Sequence, residues 1–144
     1  MMSIEWGSGD PKQSLAQNTQ FNLAYDDHRY IKYDPSVKVS HDGYLNTSCN
    51  DNRGEDTPTV VSEFCLSPAA SVESKSDWTS SNDSNKAFYQ NWFAAQVGAY
   101  EKSQGWVFWA WKQQLQDYRW GYQGEQSQVP CVYIYIYAAS IMLT

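Results

Sequence analysis

The stretch Gly105-Trp-Val-Phe-Trp-Ala-Trp-Lys112 decides how this chain is read. Aromatic and β-branched residues alternate there over a short run that opens on a glycine, and period two predicts a β-strand. Trp106 and Trp109 are an odd number of residues apart and fall on opposite faces of such a strand, whereas Trp109 and Trp111 share one. Core packing is the commoner role for any single tryptophan, but clustered exposed indoles also meet flat apolar surfaces such as sugar rings.

Upstream of this strand, the spacing predicts a helix over about Ser84 to Lys102. Phe88, Trp92, Ala95 and Ala99 fall on one face of it. Ser84 or Asn85 is available as its N-cap, and Gly105 closes it. Before that helix, Thr59-Val-Val-Ser-Glu-Phe64 reads as a second strand, Asn50 to Pro58 and Pro68 to Asp83 as polar loops, and His41 to Cys49 as a short helix capped by Ser40. Phe21 to Tyr30 reads as an earlier strand, and residues 1–20 as polar and turn-rich, with Trp6-Gly-Ser-Gly-Asp-Pro11 a loop. Strand and helix alternate, which predicts an α/β fold with a parallel sheet.

The 144 residues suit one domain with a real core. Seven Trp, eleven Tyr and 42% hydrophobic residues exclude a disordered chain and fit a carbohydrate-binding surface. A net charge of −6 and a pI near 4.7 argue against nucleic acid, whose phosphates demand a basic stripe. Cys49, Cys65 and Cys131 lack CxxC spacing, so they support neither a zinc site nor a thioredoxin motif. Cys49 and Cys65 either pair in an oxidising compartment or remain free thiols. Two glycosylation sequons occur, Asn46-Thr47-Ser48 and Asn82-Asp83-Ser84.

Met1-Met-Ser-Ile-Glu-Trp6 has neither the basic start nor the apolar core of a signal peptide. No apolar run reaches the roughly 18 residues that span a bilayer. Residues 124–144 differ from the rest. Val132-Tyr-Ile-Tyr-Ile-Tyr137 is uncharged and β-prone, and reads either as an edge strand or as sequence translated from an intron or a shifted frame.

Three residues stand out for chemistry. Glu63 closes a strand that is apolar on its N-terminal side, and the C-terminal strand ends of a parallel barrel face the active site. Its bland alternative is a surface glutamate leaving a buried strand. His28 and Tyr30 lie two apart, so both point to one face and can donate hydrogen bonds to sugar hydroxyls or orient Glu63. The competing role for His28 is a partly buried structural histidine. His41, at a helix start, reads as structural.

Taken in order, these segments resemble glycoside hydrolase family 5, and within it the fungal β-1,6- and β-1,3-glucanases. The likeness is carried by Trp6-Gly-Ser-Gly-Asp-Pro11, Tyr25-Asp-Asp-His-Arg-Tyr-Ile-Lys32, Val39-Ser-His-Asp42, Thr47-Ser-Cys-Asn-Asp51, Val60-Val-Ser-Glu-Phe64, the Gly105–Lys112 stretch and Asp117-Tyr-Arg-Trp120. It covers residues 1–123, leaving 124–144 as a tail atypical of the family.

The resemblance implies the C-terminal portion, about strands six to eight, of a (β/α)8 barrel. Such barrels run to about 250 residues. It implies Glu63 as the nucleophile of a retaining glycosidase, with His28, Tyr30 and Trp109 binding the sugar beside the cleaved bond. The expected substrate is a β-glucan of the cell wall, more specifically β-1,6-linked. The expected protein is a secreted or wall-bound monomer that needs no metal or organic cofactor.

Two departures are evident. The family's acid/base glutamate sits in an Asn-Glu pair that no acidic residue here matches, so this chain alone is expected to be inactive. Ser62-Glu63-Phe64 also stands where the family commonly has Gly-Glu-Trp. A glucan-binding protein without catalysis, or a degenerate gene product, is the alternative.

Overall fold

The computed structural model describes residues 2–4, 25–51, 58–115 and 117–122. They form a four-stranded sheet in the order β1 (Met2–Ile4), β2 (Tyr25–Arg29), β3 (Thr59–Phe64) and β4 (Trp106–Phe108). Every pairing is parallel, as the strand–helix rhythm predicts. Helix α1 (His41–Asn50) joins β2 to β3, and α2 (Lys86–Tyr100) joins β3 to β4. The 1–20 region, read from sequence as polar and turn-rich, contains β1, a strand too short to show any period. The Trp6–Pro11 segment and the 124–144 tail lie outside the described residues.

Helix α1 starts where the sequence places it. The Ser40 side chain accepts from the backbone N–H of Gly43, satisfying one of the helix's unpaired donors. Gly43 is required for a different reason. A Cβ there would lie 2.1 Å from the Lys38 carbonyl oxygen.

Asn85, one of the two residues offered by the sequence, stands at the N-cap position of α2, but its side chain makes no capping bond. A 3-10 turn over Asp83–Asn85 precedes the helix, and Asn82 caps that turn by accepting from the Ser84 N–H at 3.1 Å. Asn85 is buried instead and donates to the Ser76 and Thr79 carbonyls, tying the 68–83 loop to the helix start. The buried stripe of α2 is also wider than the single row read from sequence. Phe88, Trp92 and Ala99 are joined by Tyr89, Phe93, Gln96, Val97 and Tyr100, while Ala95 is only partly covered. A stripe this broad lets one helix pack against the sheet, α1 and the 68–83 loop together.

Core packing is largely aromatic. Trp92 is fully buried, tilts against Tyr44 of α1 at 4.7 Å and donates its indole N–H to Ser48 at 2.9 Å. Phe64 packs against Phe93, Tyr100, Trp106 and Phe108. Burying each such ring contributes about 1.5–3 kcal/mol. His41 stacks on Phe88 at 3.8 Å and meets the Asp77 carbonyl at 2.9 Å, a structural role as expected. Cys49 is exposed and Cys65 buried, both as free thiols. Burial pushes the Cys65 thiol up to about 12.

Strand β4 is shorter than the Gly105–Lys112 run. After Phe108 the chain leaves β3. The Trp109 N–H still donates to the Phe64 carbonyl, but the Ala110 N–H turns to the Trp120 carbonyl, and the Tyr122 N–H returns to Ala110. The Trp109–Ala110 peptide is cis. Among the described residues, no helix is long and apolar enough to cross a membrane.

Candidate functional site

The two faces of the sheet differ in chemistry. Along β2, Tyr25, Asp27 and Arg29 are buried, while Asp26, His28 and then Tyr30 alternate with them on the other face. On the first face Val61, Phe64 and Phe108 join the aromatic core. There too Arg29, 1% exposed, donates its Nε to the Asp51 carboxylate at 3.0 Å and sits 3.6 Å from Asp27. The second face is polar.

A bulge in β3 sets the polar face. Tyr25, Asp26 and Asp27 pair with Thr59, Val60 and Val61, but the next pair is His28 with Glu63. Strand β3 therefore carries one residue more than β2, and it is irregular against β4 over the same span, where Val61 and Phe64 pair with Trp106 and Phe108. Strict alternation would turn Glu63 toward the core with Val61. The extra residue instead puts both Ser62 and Glu63 on the polar side and returns Phe64 to the core at 0% exposure.

The result is a convergent cluster at the C-terminal edge of the parallel sheet. The Tyr30 hydroxyl donates to Glu63 Oε2 at 2.7 Å. His28 Nδ1 lies 3.4 Å from the same oxygen, and its Nε2 lies 3.6 Å from Asp26 Oδ1. Asp26 in turn accepts from the Ser62 hydroxyl. Burial, then the hydrogen bond and charge of Glu63, hold the Tyr30 phenol far above its ordinary value, so Tyr30 stays a donor.

The structure thus brings His28, Tyr30 and Glu63 together. Trp109 is adjacent through its backbone, one ladder step from Glu63, and its half-exposed indole joins no described contact with the cluster. Trp111 is exposed and stacks on Tyr122 at 5.5 Å.

Sequence reading missed Asp26 and Ser62. The spacing that pairs His28 with Tyr30 extends back two residues to Asp26, so Asp26 was within reach; Ser62 needed the bulge. A second cluster also went unread. Lys32, in the 3-10 turn Ile31–Tyr33 that follows β2, donates to Ser67 Oγ at 2.7 Å, lies 3.7 Å from Glu73 and sits 4.8 Å from the centre of the Trp120 ring. Trp120 approaches Tyr30 at 6.3 Å, so this cation–π contact buttresses the wall beside Glu63. Below it, Arg119 grips Asp117 and donates to the Glu73 carbonyl. No group of three or more metal-ligating side chains is assembled among the described residues.

What can this arrangement do? A carboxylate held by a neutral phenol and flanked by an imidazole at a strand end can act as a nucleophile or general base. Trp109, next to Phe64 along the chain ladder with a half-exposed indole, is of a residue type that suits a sugar ring better than a charged ligand.

No protein-family model matches the chain. It is 57% identical over 124 residues to a probable glucan endo-1,6-beta-glucosidase B of Aspergillus fumigatus, an alignment covering 86% of this chain and 30% of that protein. It is 55% identical over 123 residues to glucan endo-1,6-beta-glucosidase B of Emericella nidulans, covering 85% and 29%. A probable enzyme of the same name from Aspergillus flavus is 49% identical over 124 residues. The chain is related in sequence to these glucan hydrolases along most of its own length, and spans about 30% of theirs.

Proposed function

We propose that this chain is the nucleophile-bearing part of a β-1,6-glucan hydrolase of glycoside hydrolase family 5, cleaving with retention. The observation that carries the reading is the bulge-directed convergence of Tyr30 and His28 on Glu63 at the C-terminal edge of a parallel sheet. The 49–57% identity to proteins named for that activity supports it. On this reading the four strands belong to a (β/α)8 barrel, β2 to β4 being its sixth to eighth, β1 the one before, and the polar face lines the barrel's mouth. Residues 1–123 form the hydrolase portion, and the complete enzyme is a secreted, monomeric, cofactor-free protein.

Glu63 attacks the anomeric carbon while an acid carboxyl group protonates the departing glycosidic oxygen. Water, deprotonated by that same group, then releases the sugar. Retention places the two carboxyl groups about 5–5.5 Å apart. The acid is supplied from outside the matched segments, so residues 1–144 alone bind β-1,6-glucan oligosaccharides without turning them over. Tyr30 keeps Glu63 in one rotamer with one lone pair engaged, His28 reaches a sugar hydroxyl, and Trp109 lies under the ring.

A second reading, glucan binding with no catalytic history in this chain, draws on the exposure of Trp109 (48%) and Trp111 (61%). Calorimetry with β-1,6-linked glucose oligomers separates the two. Under the hydrolase reading Glu63→Gln alters affinity, because the carboxylate faces the reacting carbon. Unchanged affinity in Glu63→Gln favours simple binding, and no heat with either protein rejects both.

A further inference from the structure

The two sequons are not equivalent in the folded chain, and from the difference we infer that Asn46 is a site of N-linked glycosylation while Asn82 stays bare. The inference rests on the proposed secretion, since the transferase works in the secretory pathway.

Asn46 lies on the solvent side of α1, in an exposed row with Asp42, Cys49 and Asn50, and opposite the buried Tyr44 and Ser48. Its backbone carbonyl accepts from Asn50, and its side-chain amide has no hydrogen-bond partner among the described residues. A sugar on Nδ2 therefore displaces nothing. Among the described residues, the hydroxyl of this sequon, on Ser48, is taken up only by the Trp92 indole, 44 positions further along. That contact forms after α2 has been synthesised and docked, so no distant partner engages the sequon hydroxyl while the transferase can read it.

Asn82 is engaged on both sides of its amide. Its Oδ1 accepts from the Ser84 N–H at 3.1 Å and from the Ser84 hydroxyl at 2.8 Å, and its Nδ2 donates to the Ser76 carbonyl at 3.0 Å. The same carbonyl also accepts from Asn85. All these partners lie within nine residues, so the turn forms locally as the segment emerges. It occupies both the acceptor nitrogen and the sequon hydroxyl. Attachment at Nδ2 would replace one of its two N–H groups with a bulky sugar beside Ser76 and compete with the turn that starts α2.

The test is to translate the full chain behind a cleavable secretion leader in the presence of endoplasmic-reticulum microsomes and map the product. The expected result is one glycan, removed by peptide-N-glycosidase, with the Asn-to-Asp conversion at position 46 alone. Asn46→Gln abolishes the gel shift and Asn82→Gln leaves it intact. A glycan on Asn82, or none on Asn46, overturns the inference. Because the leader is supplied, these outcomes do not depend on native export. Failure of the secretion reading would show separately, as absence of the native protein from the organism's culture medium and wall.

Discussion

His28 and Glu63 face each other across β2 and β3, although a regular register would set His28 opposite Ser62. One extra residue in β3 makes the difference. It turns two consecutive side chains, Ser62 and Glu63, to the polar face, where the first holds Asp26 and the second meets His28 and Tyr30. The carboxylate is thus aimed by backbone geometry before any side chain restrains it.

Tyr30 then fixes it. Removing the phenol oxygen in Tyr30→Phe deletes the 2.7 Å bond to Glu63 and leaves the ring's packing near Trp120. Stability measured by urea unfolding should fall by about 1 kcal/mol. A neutral result would mean that water replaces the phenol without loss.

The opposite face depends on a buried ion network. Arg29→Met removes the cation between Asp27 and Asp51 and strands their charge in the core. The expected loss is about 3–5 kcal/mol, the cost of breaking a buried pair from one side. The double variant with Asp51→Leu should recover part of it, and calorimetric melting of both proteins measures the difference.

Gly43 supports α1 through close approach. In Gly43→Ala the added methyl meets the Lys38 carbonyl, so the backbone before the helix must move. About 1–3 kcal/mol of stability is expected to be lost, whereas Gly98→Ala, with open space around it, should be neutral or stabilising.

Acid should act through Asp117. Burial alone would push its carboxyl up, but the hydrogen bonds and charge of Arg119 outweigh this and hold it below its usual 3.8. The folded value is the lower one, so this contribution is complete above the unfolded value and is lost as pH falls through the folded value. Between neutral pH and about pH 3, the urea midpoint of Asp117→Asn should change less than that of the unaltered chain.

Much of this was legible from residues alone. The Thr59–Phe64 strand and the Ser40 cap of α1 gave elements that the structure reproduces within a residue or two. Alternation also placed His28 and Tyr30 on one face. What stayed hidden came from tertiary context. A three-residue strand such as Met2–Ile4 has no period to detect. The Asn82 cap precedes a 3-10 turn, which shifts the apparent start of α2. The bulge at Ser62 leaves no compositional mark, and Lys32 meets Trp120 across 88 positions of sequence only because three strand-end loops converge.

The central claim is that Glu63 is the nucleophile of a glucan hydrolase. Residues 1–123 should be exchanged for the matching segment of the Aspergillus fumigatus relative, and the chimera assayed on β-1,6-glucan with and without Glu63→Gln. The account predicts a chimera that cleaves the polymer, a loss of about a thousandfold or more in Glu63→Gln, and a 2-deoxy-2-fluoroglucosyl label on Glu63 from an activated fluoro-glucoside. A folded chimera that is inactive, one that keeps its activity in Glu63→Gln, or a label on another residue would contradict it.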